Sequence, residues 1–188
     1  GVSRLLGCVQ HQAVVLGNGG IQFCLAPAQL GAQASAVKKR QAALVTMETL
    51  HPAVDTLSNI TNLATHHFQT HPEQFGNTVL GLLKAVVDGN LVDATLTQQS
   101  PGFVQRVSTA LNGISWDVLE TATGHPRTHW AETAQLLAKA KRLVVLVGNG
   151  VLRHPGAGAT ATNLLDLLIL LGKLDQPGCG LGPLAEEN

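Results

Sequence analysis

Twice in this chain an aliphatic run stops at the tripeptide Gly-Asn-Gly, as "VVLGNG" at 14–19 and as "VVLVGNG" at 144–150. The five apolar residues at 143–147 have no polar alternation, which predicts a strand buried on both faces. Such strands belong to parallel sheets, whose neighbours can be joined only by long crossovers. The sequence after the first run supplies one. Pro27 suits a first helical turn, and Lys38-Lys39-Arg40 suits a last turn, where cations meet the helix's negative end. "AALVTME" at 42–48 then reads as a second strand. A strand, turn, helix and strand in this compass impose a parallel, right-handed connection. Two strand–GNG–helix corners in one such sheet bring both turns to its carboxyl edge, where open α/β sheets take their ligands.

Neither turn completes a standard nucleotide motif. A dinucleotide fingerprint needs a third glycine three residues after the second. Arg153 stands there after Gly150, and Gln22 after Gly19. No G-x-x-x-x-G-K-[ST] occurs, which excludes a P-loop ATPase. Each GNG is therefore either a cradle of another kind or a plain turn in which asparagine tolerates a positive φ.

The middle of the chain reads as helical. A helix starts at His71-Pro72-Glu73, buries Val79, Leu82, Leu83 and Val86, and stops at Gly89. Two short amphipathic pieces follow, split by Pro101-Gly102. Ser115 caps a helix that carries Asp117 in its first turn and ends at Gly124. Residues 127–142 form another, with Thr128 as N-cap and Trp130, Ala134, Leu137 and Ala138 as its buried stripe. "TATNLLDLLILLG" is a helix apolar nearly all round, closed by Gly172. "KLDQPGCGLGPL" has no regular period and reads as a loop.

Other chemistries find little support. His66, His67 and His71 cluster, and an i, i+4 pair of imidazoles can share a metal on a helix. Pro72 disfavours helix at His71, and no carboxylate or thiolate completes the set, so a solvated loop is the better reading. Cys8, Cys24 and Cys179 lie far apart, without a C-x-x-C pair, and fit reduced thiols; Cys179 reads as a small packing residue. No serine sits in a G-x-S-x-G elbow. Asp55 and Asp175 suit water or turn caps, whereas Asp166, inside the apolar helix, points to a polar contact with a partner.

The 188 residues include 12 Lys plus Arg and 12 Asp plus Glu, and this balance argues against nucleic acid as the main partner. Only 13% are charged, against roughly a quarter in ordinary soluble domains, so part of the surface is expected to be covered by something else. The longest apolar stretch, at 164–172, is too short to cross a membrane and contains Asp166. No signal peptide is visible, and the expected location is cytoplasmic, with any membrane association made through a complex. The chain begins without methionine and stops at "PLAEEN", which reads as a piece of a longer polypeptide.

From Gly148 onward the order and spacing of Gly148, Gly150, Val151, His154, Asn163, Leu164, Gly172, Lys173, Pro177, Gly178, Gly180, Pro183, Leu184 and Asn188 resemble the molybdopterin oxidoreductase superfamily. That superfamily includes the large subunits of formate dehydrogenases and nitrate reductases and the largest peripheral-arm subunit of NADH–quinone oxidoreductase (complex I). The likeness extends more weakly upstream to about Ala13. It implies an α/β, Rossmann-like fold with a mainly parallel sheet and a helical insertion at about 71–142, all of residues 1–188 being a fragment of one such domain.

The resemblance implies molybdopterin guanine dinucleotide as cofactor, with Gly17, Asn18, Gly19, Gly148, Asn149 and Gly150 cradling phosphate or guanosine and His154 contacting the same ligand. This sequence departs from the family where the guanine is held. The second strand ends "TMETL", leaving Glu48 to stand in for the usual Asp, and "PEQFG" replaces P-G-T-D. Each missing charge-assisted hydrogen bond is worth about 1.5–3 kcal/mol. These losses tilt the expectation toward a complex I-like subunit whose fold persists as scaffold. Iron–sulfur clusters, the metal ligand and the catalytic groups are expected in other segments. Expected partners are the rest of the polypeptide and other subunits of a redox complex. The rival expectations are an interaction module with both turns empty and a simple binder of an ordinary nucleotide.

Overall fold

The computed structural model describes residues 12–18, 43–48, 64–148, 151 and 155–184, with the backbone alone for 12–18, 48, 183 and 184. Five strands, β1 (Gln12–Asn18), β2 (Ala43–Glu48), β3 (His66–Gln69), β4 (Arg142–Gly148) and β5 (Gly180–Leu184), form one sheet in the order β3-β2-β1-β4-β5. All four pairings are parallel. The chain therefore steps outward from β1 to β2 to β3, then returns to the other side of β1 and continues outward to β5. The expected helix at 27–41 lies outside the described residues.

Two of the strands were not expected. The histidines at 66 and 67 belong to β3 rather than to a solvated loop, paired in register with Val45 and Thr46. The Gly/Pro-rich segment contains β5, in register from Val144↔Gly180 to Gly148↔Leu184. Both are edge strands of the described sheet, where ladder demands are weakest; an edge position also tolerates Pro183, which has no N–H to donate.

Five helices lie between β3 and β4: α1 (Phe75–Asp88), α2 (Ala94–Gln99), α3 (Pro101–Asn112), α4 (Trp116–Thr123) and α5 (Arg127–Lys139). A sixth, α6 (Ala157–Leu170), joins β4 to β5. Right-handed crossovers put the β3-to-β4 and β4-to-β5 connections on the same face of the sheet. The packing of α1 against both α5 and α6 agrees.

Strand alternation sorts the sheet residues by face. Val45, Met47, Phe68, Leu143, Val145 and Val147 join the helices in one core. Leu44, Thr46, Val144 and Leu146 are equally buried on the opposite face. The two-sided burial read from the apolar run at 143–147 is thus observed.

Helix α1 buries Val79, Leu82, Leu83 and Val86 as their spacing predicts. Trp130 of α5 packs on it and donates from Nε1 to the Thr78 carbonyl at 3.0 Å. Gly81 faces that ring, and a Cβ there would collide with the indole. Ser115 caps α4 by accepting from Asp117 N at 3.2 Å, and Gly124 closes it at φ 75. Thr128 is not the cap of α5: that position is Pro126, in extended conformation, and Arg127 N donates instead to the Glu120 carboxylate of α4. Arg142 opens β4 rather than closing α5.

Candidate functional site at the carboxyl edge of the sheet

The order of connections reverses between β1 and β4, so the crossovers leave these neighbouring strands in opposite directions. Such a reversal opens a crevice beyond the carboxyl ends of the strands. Both Gly-Asn-Gly sequences begin there. Gly17 pairs with Val147, which puts Gly17-Asn18 of β1 level with Gly148 at the end of β4. Glu48 ends β2 at the same level, paired with Asn18 on one side and Gln69 on the other. Residues 17, 18, 48 and 148, far apart in sequence, thus share one edge. Gly19, Asn149, Gly150 and His154 lie outside the described residues, as do the side chains of Asn18 and Glu48.

Two helices start on this side of the sheet. Neither α1 nor α6 has an acidic residue in its first turn or a side-chain cap on its first N–H groups. Their first turns meet, since a Cβ at Gly76 would sit 3.4 Å from Thr160 Oγ1. Helix N-termini carry partial positive charge and exposed N–H donors, and both favour anions. Val151, just after the second Gly-Asn-Gly in sequence, is buried in the core. Thr70 follows the last residue of β3. It is only 4% exposed, and its Oγ1 has no hydrogen-bond partner among the described residues.

Beside this edge stands a corner the sequence did not announce. Phe68 of β3 is ringed by His129 (centroids 4.3 Å), His125 (5.0 Å) and Trp130 (6.3 Å). His129 meets His66 edge-on at 5.5 Å and lies 5.6 Å from His125. His125 Nε2 bonds the Gln69 carbonyl at 2.8 Å, and on the other sheet face His67 Nδ1 bonds Thr46 Oγ1 at 2.8 Å. Burial holds all three of His67, His125 and His129 below the ordinary imidazole range. His125 adds repulsion on His67 and His129, while its own bond to Gln69 pulls it partly back. The spacing of His66, His67 and His71 concealed this cluster, because its other half comes from 125 and 129.

Elsewhere, Cys179 is half-buried and its sulfur accepts from Leu143 N at 3.2 Å, the packing role expected of it. Cys8, Cys24 and Asp55 lie outside the described residues. Among the described residues no group of three or more His, Cys, Asp or Glu could hold a metal ion, and no helix is long and apolar enough to cross a membrane.

No protein-family model matches the chain. Protein YdeP of Escherichia coli K12 is 30% identical over 94 residues, which cover 50% of this chain and 12% of that protein. Formate dehydrogenase H of the same strain is 27% identical over 104 residues, covering 55% of this chain and 14% of that enzyme. The chain thus corresponds to a small part of the curated relatives it matches. Among solved structures, acetylene hydratase from Pelobacter acetylenicus superposes with a TM-score of 0.71 over 88% of this chain and 22% of that one, at 11% identity. The sequence likeness to formate dehydrogenase H and the fold shared with acetylene hydratase support a relationship to the molybdopterin oxidoreductases.

Proposed function

We propose that this chain is the Rossmann-like, nucleotide-holding domain of a molybdopterin oxidoreductase large subunit of the formate dehydrogenase kind. The observation that carries the reading is the meeting of two Gly-Asn-Gly strand ends on adjacent parallel strands, at the point where the sheet reverses direction. Glycines at such ends let a backbone approach a pyrophosphate closely. The residues present fit the dinucleotide half of the cofactor. The first turn of α6 carries no competing acid, and Thr70 Oγ1 is a buried hydroxyl without a hydrogen-bond partner among the described residues. When bound, the pterin carries the metal at which redox chemistry occurs. This chain's part is to bind and orient the nucleotide end, with Gly17 to Gly19 and Gly148 to Gly150 against phosphate or guanosine. Glu48 would accept from the guanine edge, and His154 would contact the same ligand.

The second reading is a scaffold domain that has lost the cofactor, as in a complex I-like subunit. It is favoured at "PEQFG", where Gln74 Oε1 accepts from Asn77 Nδ2 at 2.6 Å and so serves the start of α1. Metal and nucleotide analysis of the full-length protein separates the two. Stoichiometric molybdenum or tungsten with releasable guanine nucleotide is the expected result. Protein purified under cofactor-replete expression without either would leave the scaffold reading. Thermal stabilisation by millimolar NAD, FAD or GDP would instead favour an ordinary nucleotide binder.

A further inference from the structure

The histidine corner does something the edge does not require. His125 and His129 pack on the buried Phe68, 5.6 Å from each other, and His66 meets His129 edge-on at 5.5 Å. The cluster joins elements far apart in sequence: His66 and Phe68 lie on β3, His125 in the turn before α5, and His129 on α5. The carbonyl of Gln69 can only accept, so His125 Nε2 must carry a proton to bond it. His129 Nε2 is buried and has no hydrogen-bond partner among the described residues. As N–H⁺ it would be a buried, charged donor without an acceptor, which costs far more than the same atom as a neutral lone pair.

The charges around the cluster oppose protonation. His125, His66 and His67 each act on His129 with like charge, and Glu132 on α5 is the one attraction. Arg127, at the start of α5, is turned away toward Asp88, 3.7 Å from its carboxylate, and packs over Trp116. We propose that His125 and His129, packed on Phe68 beside His66, form an acid-sensitive latch that holds the carboxyl end of β3 to the start of α5 while His129 is neutral and loosens when His129 is protonated. The clamped residue, Gln69, is the register partner of Glu48. Acid release therefore loosens the strand next to the carboxyl-edge acid, whatever ligand that edge holds.

The direction follows from linkage. His125 and His129 are held below the ordinary value of 6.5, so below that pH the unfolded segment binds more protons than the folded one. The latch is at full strength above pH 6.5 and is lost as pH falls through and below it.

Hydrogen exchange of the intact protein, read by mass spectrometry and corrected for intrinsic rates, tests this at about pH 7.5 and about pH 5. We expect peptides covering 64–71 and 124–131 to lose protection by about tenfold at the lower pH, while 142–148 stays protected. His129→Phe keeps a ring in place without a titrating group, and His125→Gln keeps a donor for Gln69. Either variant should blunt the acid response, and if one fails to fold the other decides. Equal protection at both pH values in the parent, or an undiminished acid response in the folded variants, overturns the proposal.

Discussion

The glycine edge and the histidine corner lie two strands apart in one sheet and are built in opposite ways. The edge is made of backbone: strand ends, glycines and two helix N-termini. The corner is made of side chains, with His66, Phe68, His125, His129 and Trp130 packed ring on ring. A backbone site leaves space for a ligand and adds little to the core. A ring-packed corner fills space and stabilises the fold. The two should therefore respond differently to substitution.

The largest effect is expected at the corner. Trp130 is fully buried, lies against Phe68 and Trp116, and bonds the Thr78 carbonyl. Trp130→Ala leaves a large cavity and removes the bond to the Thr78 carbonyl, and should cost about 3–5 kcal/mol of unfolding free energy. Urea denaturation measures this. A loss below about 1 kcal/mol would mean that the corner is not part of the cooperative core.

At the edge the expectation reverses. Glu48→Gln keeps shape and removes charge at the end of β2. It should weaken guanine-nucleotide retention by about 10- to 100-fold, the equivalent of a charge-assisted bond of about 1.5–3 kcal/mol, and leave the urea midpoint unchanged. Nucleotide content per folded protein is the readout. If both retention and stability fall together, Glu48 supports the fold rather than a ligand.

Gly172 separates a glycine needed by the chain from a glycine needed by a ligand. It ends α6, away from the edge, at φ 64, and a Cβ there would lie 2.7 Å from Asp93 Cγ. Asp93 is itself held, since its Oδ1 accepts from Leu96 N at the start of α2. Gly172→Ala should cost about 1–2 kcal/mol through backbone strain and leave nucleotide retention intact. A variant that lost retention at full stability would show that α6 transmits to the edge.

The same contrast explains what the sequence could reveal. The edge was legible because its signals are local: an aliphatic run followed by glycine reports its strand and its turn within seven residues. The corner was not, because His125 bonds a carbonyl 56 residues away. β3 escaped notice because four residues give too short an alternation, and in "HHFQ" an imidazole at 66 does the work of an apolar residue beside Phe68. β5 hid behind glycine, which weakens the strand signal, and proline, which within sheets belongs mainly at an edge. The start of α5 was misplaced at Thr128 because a carboxylate from another helix, Glu120, meets its first N–H. The positions of residues 17, 48 and 148 on one edge followed from parallel pairing, but what the edge binds depends on side chains that no local pattern fixes.

The smallest effect is expected at Asp166, which belongs to neither region. It lies half-buried on α6 among leucines, and burial raises its carboxyl above the ordinary value of 3.8. Between that value and the raised one, the folded state holds a proton the unfolded chain has released, so stability falls as pH rises through this window. At neutral pH the ionised carboxylate therefore works against the fold. Asp166→Asn should raise the thermal midpoint slightly at neutral pH, and the gain should vanish below about pH 4. The sequence, however, suggested that this acid meets a partner. If so, the substitution stabilises the chain alone and lowers the midpoint of the assembled protein. Thermal melts of both forms at both pH values decide the matter: a lower midpoint in assembly places a cationic or donor group of the partner on α6, and a higher one in both forms leaves Asp166 as an unpaired charge that the fold tolerates.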